Sequence, residues 1–498
     1  MAVTALWVSS VFGAAPGFRV TLDASVADEA YTGRVYVSMV SSESGSTPLQ
    51  GMGAYFDHPP LFAVDAEALV PGGVVTIGPE ALSSPVAMED VEPGTYLAQA
   101  FARVSLDSPK PGRGAGDLYS EVIEVEVGAE GTWSAELTLD GVQEREDLRE
   151  TERVRLHELR SERLSAFHGR DVTLRCGVLL PEGFDERRAA GERFPVVYVV
   201  SGFGGDHTSA RGLVRRGMVS DNIVFVVPDA SNYFGHSVFA DSANTGPGAQ
   251  ALVAEIVPSV DEAFGGAGHE HRYITGVSSG GWASLWVQLT EPEHFAGCWS
   301  HVPDPVWFGR MQTVDIYAPE ANLYVDAKGE ERVGARWPNG ETIFTIRGAV
   351  LRERVLGPGG QYRALESVFS PRGEDGTPAE LFCRETGAID AEVARAWRDY
   401  DIAHVVRTRW DELAGPAGER LAGKIRVYAG SRDNFFLELA IPELQDAFAE
   451  VGSDAVVEVI EGMAHSLYRE GNREMLETIE ARWRSRAGTG TPGDGRAR

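Results

Sequence analysis

Two adjacent serines lie between glycines in the segment YITGVSSGGWASLW, residues 273–286. In the frame GVSSG, residues 276–280, Ser278 has a glycine two positions before it and another two positions after it. This G-x-S-x-G pattern presents a serine nucleophile on a sharp strand-to-helix turn, where any Cβ at the glycine positions would collide. Centring the pattern on Ser279 would put Val277 at the first glycine position. We therefore predict Ser278 as the nucleophile and the backbone N–H of Ser279 as an oxyanion donor.

The pattern by itself is weak support, because a chain with 57 glycines matches short glycine motifs by chance. The alternative interpretation is a turn rich in glycine and serine. Such a turn would need neither an apolar strand before it nor a helix-forming run after it. Both are present, in the strand-like residues 272–278 and in the helix-like residues that follow. This context favours the interpretation of Ser278 as a nucleophile over that of a simple turn.

A serine nucleophile needs a histidine base and an acid that orients the histidine. In enzymes with this turn, the three residues follow the chain order serine, acid, histidine. Asp433 follows the predicted strand 424–430, and we predict it as the acid, with a helix N-cap as its alternative role and Glu438 as the reserve acid. His465 is the only histidine beyond Asp433 and follows the predicted strand 455–462. We predict His465 as the general base.

A second oxyanion donor should come from a small-residue turn after an earlier strand. The segment VYVVSGFGGDH, residues 197–207, supplies such a turn, and the N–H of Phe203 is the predicted donor. This turn is not a dinucleotide-binding G-x-G-x-x-G loop, because His207 stands at the third glycine position. Four side chains near the catalytic loops are candidate substrate-binding residues: Asp206, His207, Trp282 and Asp304.

Composition and charge limit the function classes. With 498 residues the chain is too long for one core and predicts two globular units. A net charge of -29 argues against nucleic acid or an anionic membrane as a partner. The three cysteines form no C-x-x-C pair, so neither a disulfide framework nor a thiolate metal site is indicated. The apolar first sixteen residues are interpreted as a signal-peptide remnant or a first strand, which leaves secreted, periplasmic and cytoplasmic locations open.

The sequence pattern changes near residue 140. Short alternating runs separated by Gly, Pro, Ser and Asp predict an all-β sandwich of immunoglobulin type over residues 1–140. Its simplest role is structural support. The charged residues 140–153 are predicted to form a connector with one or two helical turns.

Beyond the connector, near-continuous apolar runs alternate with helix-length segments, which predicts an α/β domain with a mostly parallel sheet over residues 141–485. Helices are expected at 249–264 and 435–451, and residues 486–498 are expected to form a flexible tail. The predicted strands are 171–180, 195–202, 222–229, 272–278, 424–430 and 455–462.

About 150 residues separate Ser278 from Asp433, and a connection of this length normally carries structure of its own. We predict an insertion at about 303–420 that lies over the active site, with a remote surface appendage as the alternative. Its aromatic residues are expected to wall the substrate pocket: Trp307, Phe308, Tyr317 and Trp337.

The segments that carry these predictions also resemble a known family. They are VVYVVSGFGGDH, PDASNYFGH, YITGVSSGGWASL, YAGSRDNFFLE and EGMAHSLY. From about Val154 to Trp483 the chain resembles the esterase branch of the α/β-hydrolase superfamily, which includes enterochelin esterases, feruloyl esterases and mycolyltransferases. The resemblance implies an α/β-hydrolase fold and a serine esterase without metal or organic cofactor. It also implies a β-rich domain ahead of the hydrolase, as in enterochelin esterases, although Ser201-Gly202 stands where many relatives have His-Gly.

The predicted function is hydrolysis of a polar carboxylic ester through an acyl-enzyme, for example a hydroxycinnamoyl, acetyl or siderophore ester. The expected substrate is a small-molecule or carbohydrate-linked ester. Two alternatives stay open: acyl transfer to a sugar or polyol, and a non-catalytic polysaccharide-binding protein. The oligomeric state also stays open.

Overall fold

The computed structural model describes residues 15–53, 56, 58–129, 131–145 and 148–488. Most of the apolar start of the chain and residues 489–498 of the predicted tail lie outside these ranges. The last helix, Arg469–Gly488, extends into the start of that tail. None of the helices in the described ranges combines the length and apolarity that crossing a membrane requires.

The first part of the chain forms a nine-stranded β-sheet with one short helix, Pro48–Met52. Neighbouring strands pair antiparallel, except that the first and last strands run parallel to each other. Alternate residues of the last strand are buried, as expected for a sheet with one face in a core. The all-β prediction agrees with this sheet, and its immunoglobulin type stays a prediction. The strands are Gly17–Leu22, Tyr31–Ser41, Leu61–Leu69, Val74–Ile77, Leu82–Ser84, Gly94–Ala102, Leu118–Ser120, Ile123–Val127 and Ser134–Val142.

This N-terminal sheet is covered on its second face by the rest of the chain. Tyr36, Leu61 and Phe101 pack in one cluster with Val355, and Leu356 lies against the same cluster. Because an apolar sheet face must be buried against another element, this contact docks the two parts of the chain together.

The connector contains no helix among its described residues, so the prediction of helical turns was wrong. The last N-terminal strand continues to Val142, and Gln143 donates its N–H to the Asp117 carbonyl at 2.7 Å. Leu148 is buried, and Arg145 pairs with Glu158 at 3.0 Å. These contacts hold the connector in an extended conformation along the sheets. The predicted helical turns would instead have exposed their charged residues to solvent.

An eight-stranded central sheet organises the second part. Its strands are β1 Val154–Arg160, β2 Thr173–Leu179, β3 Val196–Val200, β4 Val224–Pro228, β5 Arg272–Val277, β6 Gly297–His301, β7 Ile425–Gly430 and β8 Val456–Ile460. They lie in the order β1-β2-β4-β3-β5-β6-β7-β8. Strand β2 runs antiparallel to both of its neighbours, and the other pairings are parallel. Tyr198 lies in one hydrophobic cluster and Val197 and Val199 lie in another, so both faces of the sheet are covered.

Helices cover the central sheet, and the mixed α/β prediction is confirmed. The predicted helix 249–264 is present as two α-helices joined by a π-helical segment, Leu252–Ile256. The helices outside the connection between β6 and β7 are Glu162–His168, Phe184–Ala189, Gly248–Ala251, Val257–Phe264, Ser279–Thr290, Ile441–Glu450 and Arg469–Gly488.

The long connection between β6 and β7 contains four α-helices and one β-hairpin of its own. Phe369 and Trp397 from this connection belong to the same hydrophobic core as Trp282 below the sheet. The connection is therefore packed into the central domain. Its helices are Ile346–Leu356, Gln361–Phe369, Ala391–Ala396 and Ile402–Ala414, and its hairpin strands are Val333–Arg336 and Thr342–Thr345.

Candidate active site

Ser278 occupies the sharp turn between β5 and the helix Ser279–Thr290. Its backbone angles are φ 61° and ψ -126°, a region that residues with a side chain rarely adopt. The Ser278 N–H donates to the His301 carbonyl at 3.0 Å, and its carbonyl accepts from the Trp282 N–H at 2.9 Å. These two bonds hold the serine in a conformation that costs on the order of 1–3 kcal/mol.

The glycines around Ser278 are required by close backbone packing. A Cβ added to Gly276 would lie 2.1 Å from the Gly280 carbonyl oxygen. A Cβ on Gly280 would lie 2.1 Å from the Val200 oxygen, and one on Gly281 would lie 2.5 Å from the His301 oxygen. No side chain fits at these distances, which confirms the predicted reason for the glycines.

The structure brings His465 and Asp433 together after β8 and β7. His465 Nδ1 lies 2.7 Å from Asp433 Oδ2, and the Asp433 side chain is fully buried. Asp433 Oδ1 accepts the Phe435 N–H at 2.8 Å, and the His465 N–H donates to Asn434 Oδ1 at 3.0 Å. Because a carboxylate accepts the Nδ1 proton, the Nε2 atom of the neutral ring is left able to accept a proton.

The reserve acid, Glu438, lies in a different contact. Its carboxylate pairs with Arg336, which also donates to the Asp433 carbonyl at 3.2 Å. Burial raises the pKa of Glu438. Of the two predicted acids, only Asp433 bonds to His465.

Asp304 contacts both serines of the turn. The Ser278 hydroxyl donates to Asp304 Oδ1 at 3.2 Å, and the Ser279 hydroxyl donates to Oδ2 at 2.6 Å. Burial raises the pKa of the Asp304 carboxyl, and the hydrogen bond from Ser279 acts against this rise. Ser278, Asp304 and His465 all line one cavity of about 760 Å³.

The predicted oxyanion donors lie on the two sides of Ser278. A Cβ on Gly202 would lie 3.3 Å from Ser278 Cβ, so the loop that carries Phe203 passes directly over the serine. Ser279 is the first residue of its helix, where a backbone N–H has no partner in the helix itself. Neither the Phe203 nor the Ser279 N–H has a hydrogen-bond acceptor within the described part of the chain.

His236 fixes the loop that carries Phe203, and sequence reasoning missed it. Its Nε2 lies 2.9 Å from the Ser201 carbonyl oxygen, and its Nδ1 accepts the Val238 N–H at 2.9 Å. Burial lowers the pKa of His236 to about 4, so the ring is neutral and Nε2 carries the proton. Only the segment PDASNYFGH in the family resemblance had drawn attention to this histidine.

Of the four candidate substrate-binding residues, Asp304 alone lines the cavity. Asp206 Oδ1 accepts the Thr208 N–H at 2.9 Å and caps a short helical turn. His207 is buried against Asp229, and Trp282 is buried in the core, where it stacks on Trp286 with ring centroids 5.1 Å apart. The structure does not bring these three side chains to the cavity, because proximity in sequence does not determine which way a side chain points.

The aromatic residues that were predicted to wall the substrate pocket also lie away from the cavity. Phe308 is buried between Phe369 and Trp397, and the Tyr317 hydroxyl donates to Asp401. Trp307 packs against the core and Trp337 is exposed, and neither lines the cavity. The long connection contributes a different set to the wall, which includes Met311, Gln312, Phe344, Glu353, Leu356, Tyr362 and Leu365.

The N-terminal sheet supplies a further part of the cavity wall, which the sequence did not indicate. Its Lys110 Nζ donates to the carbonyl of Gly204, one residue after Phe203. The lining residues from this part of the chain are Leu49, Met52, Gly53, His58, Pro109, Lys110, Pro111 and Arg113.

Comparisons with known proteins agree with the predicted resemblance to esterases. Residues 165–351 match the family model described as Putative esterase. No curated protein matches the chain.

Solved structures with low similarity include an S-formylglutathione hydrolase from Agrobacterium tumefaciens. It has 16% identity and a TM-score of 0.39, over 66% of this chain and 95% of that one. A CE1 ferulic acid esterase from Anaeromyces mucronatus has 13% identity and a TM-score of 0.31, over 66% and 90%. The serine hydrolase FphF from Staphylococcus aureus has 14% identity and a TM-score of 0.36, over 66% and 98%.

Proposed function

We propose that the chain is a serine carboxylic-ester hydrolase that acts through an acyl-enzyme, and the match of residues 165–351 to the family model described as Putative esterase supports this proposal. The observation that carries the proposal is the meeting of Ser278 and His465 at one cavity, with Ser278 on a strained turn and His465 bonded to buried Asp433.

The order of the elements supports an α/β-hydrolase fold for the second part of the chain. The nucleophile follows β5, the acid follows β7 and the histidine follows β8, which is the chain order of that fold. We keep the division into residues 1–140 and 141–485, with an insertion at about 303–420, as part of this proposal.

In the first half of the reaction Ser278 attacks the ester carbonyl and His465 Nε2 takes the serine proton. The serine hydroxyl first turns from Asp304 toward His465. Asp433 holds the imidazole and stabilises its protonated form, while the N–H groups of Phe203 and Ser279 donate to the oxyanion. The C–O bond to the alcohol then breaks, and His465 returns the proton to the leaving oxygen.

In the second half a water molecule attacks the acyl-enzyme while His465 again takes a proton. The new tetrahedral intermediate collapses, the bond to Ser278 breaks, His465 returns its proton to Ser278 Oγ and the carboxylic acid is released. The Gly276 and Gly280 positions keep the backbone close enough for this geometry, because neither can hold a side chain.

The cavity supports a polar ester of moderate size as substrate. Its walls combine apolar side chains such as Leu49, Met311 and Leu365 with polar groups such as Gln312 and Lys110. A volume of about 760 Å³ accommodates a short acyl or hydroxycinnamoyl ester of a polar alcohol. We expect a higher kcat/KM for such esters than for long-chain triglycerides.

The test is covalent labelling with a fluorophosphonate, read by intact mass, together with hydrolysis of 4-nitrophenyl acetate. Ser278→Ala should lose labelling and hydrolysis while its circular dichroism spectrum stays unchanged. The matched control, Ser279→Ala, should retain both activities, because its backbone N–H remains. The opposite result would show that the frame of the motif was assigned wrongly.

Two further outcomes separate the alternatives. Absence of labelling in the wild-type chain would favour a non-catalytic binding protein. Formation of an ester of added glycerol, measured by mass spectrometry, would show that the acyl-enzyme transfers its acyl group to a polyol.

A further inference from the structure

The N-terminal sheet is fixed against the catalytic domain by buried polar contacts. Arg352 of the long connection is 3% exposed, and its guanidinium donates to the carbonyls of Pro59 at 2.9 Å and Ser84 at 3.2 Å. The Tyr36 hydroxyl donates to the Leu356 carbonyl at 2.8 Å. Because these donors and acceptors satisfy each other at a buried contact, the N-terminal part of the cavity wall is held in place.

The loop 109–113 of the N-terminal sheet lies beside the turn that carries the predicted oxyanion donor. Lys110 Nζ donates to the Gly204 carbonyl, and the Arg113 N–H donates to the Lys110 carbonyl at 3.2 Å. Lys110 and Arg113 both line the cavity that contains Ser278. Positive charge from the N-terminal sheet is therefore placed at the catalytic cavity.

Four Lys and Arg residues line the cavity, against two carboxyl residues, Asp304 and Glu353. Both carboxyls are occupied by protein donors. Asp304 accepts the two serine hydroxyls, and Glu353 accepts the N–H groups of Tyr362 at 3.0 Å and Arg363 at 3.2 Å. Burial raises the pKa of each, in Glu353 to about 7, which weakens the negative charge that they place in the cavity.

Two of the four basic residues are hydrogen-bonded to the protein backbone. Lys110 and Arg352 donate to backbone carbonyls, as described above. The guanidinium groups of Arg113 and Arg216 form no ion pair and no side-chain hydrogen bond with any described residue. Both side chains are exposed, so their guanidinium groups are open to a ligand in the cavity.

We infer that the catalytic cavity takes an ester that carries a carboxylate group, which Arg113 of the N-terminal sheet and Arg216 of the catalytic domain bind. The inference rests on the proposed esterase function. A guanidinium presents two parallel N–H donors that match the two oxygens of a carboxylate. The N-terminal sheet then acts as part of the substrate site in addition to its structural role.

The experiment compares two acetyl esters of similar size and different charge, the anionic 4-acetoxybenzoate and its neutral amide, 4-acetoxybenzamide. The readout is the ratio of their kcat/KM values, charged over neutral, in the full chain. We expect a wild-type ratio above one that falls as NaCl is added, because salt screens exposed charges. Arg113→Gln and Arg216→Gln should each lower the ratio by up to about fivefold, the upper range for removing one exposed ion pair.

Matched controls are Arg215→Gln, one residue from Arg216, and Arg19→Gln, which lies on the N-terminal sheet in a pair with Glu136. Neither residue lines the cavity, and both variants should keep the wild-type ratio. Thermal unfolding of all four variants checks that the fold is retained.

The outcomes separate the inference from the proposed function. Hydrolysis that depends on Ser278 but shows a ratio at or below one, or a ratio that Arg113→Gln and Arg216→Gln leave unchanged, overturns the carboxylate site and leaves the esterase proposal standing. Absence of Ser278-dependent hydrolysis of both esters overturns the two together.

Discussion

Two histidine–aspartate pairs in this chain have nearly the same geometry and different surroundings. His465 Nδ1 lies 2.7 Å from Asp433, and His207 Nδ1 lies 2.8 Å from Asp229. His465 lines the cavity beside Ser278. The Nε2 atom of His207 is buried and has no partner among the described residues.

The difference shows that a bonded aspartate orients a histidine but does not make it a base. A base needs its second nitrogen at a place that a reacting proton can reach. In His465 that nitrogen belongs to a cavity-lining ring, whereas in His207 it is buried and the ring does not line the cavity. Asp229 follows β4, so the second pair ties two neighbouring strand ends together and has a structural role.

The largest expected effect comes from removing the charge of the cavity pair. Asp433→Asn should lower kcat by about 10⁴-fold, because the amide no longer holds the productive tautomer and orientation of His465. Steady-state hydrolysis of 4-nitrophenyl acetate measures this. Asp229→Asn is the matched control, and its kcat should stay within the same order of magnitude as wild type. Equal losses in the two variants would contradict the comparison.

A substitution in the buried pair, His207 and Asp229, should change the free energy of unfolding and not the rate of hydrolysis. Asp229→Ala leaves the His207 ring without its partner, and we expect it to lower the free energy of unfolding by about 3 kcal/mol. Urea unfolding followed by fluorescence measures the change. A stable Asp229→Ala variant that has lost its esterase activity would place the second pair in the catalytic machinery.

Asp304 is a carboxylate at the cavity that bonds to two serines. A substitution of Asp304 tests whether such a carboxylate contributes to catalysis. Its two oxygens accept the hydroxyls of Ser278 and Ser279, and an asparagine would keep only one acceptor oxygen. Asp304→Asn should therefore change kcat/KM by about tenfold, the size of one hydrogen bond. A loss as large as that of Asp433→Asn would give Asp304 the role of the acid.

The smallest effect is a change in the acid sensitivity of folding. Burial alone would raise the pKa of Asp229, but the hydrogen bonds from His207 and Ser231 outweigh it and hold the pKa below the ordinary 3.8. A lowered pKa stabilises the fold above about pH 4, and this stabilisation is lost as the pH falls through the folded-state pKa. The free energy of unfolding between pH 5 and pH 3 should fall less steeply in Asp229→Asn than in wild type. Identical slopes would contradict the assignment.

The sequence predicted those features that local chemistry determines. The turn at Ser278 depends on neighbouring glycines, and the buried strands β3 and β4 have apolar residues at every position, so both were recognised. The chain order of serine, acid and histidine then located Asp433 and His465. Strand β1 was missed because its charged residues pair across the surface, and β6 was missed because GCWSH has no apolar run.

The cavity wall could not be predicted, because it depends on contacts between distant parts of the chain. Lys110 is 94 residues from its acceptor Gly204, and no local pattern marks that contact. Aromatic residues in the long connection were expected at the cavity, yet the Phe308 side chain is buried in the core. The buried Asp304–serine contact likewise depends on how β6 ends beside β5.

The contacts of Arg352 also impose an order in time on the synthesis of the protein. Ser84, one of its acceptors, leaves the ribosome 268 residues before Arg352 does. At a rate of roughly 5–20 residues per second, the N-terminal sheet waits from about ten seconds to a minute for its partner. During this interval the face formed by Tyr36, Leu61 and Phe101 lacks Val355 and Leu356. The nascent sheet therefore exposes this apolar face until the long connection has been made.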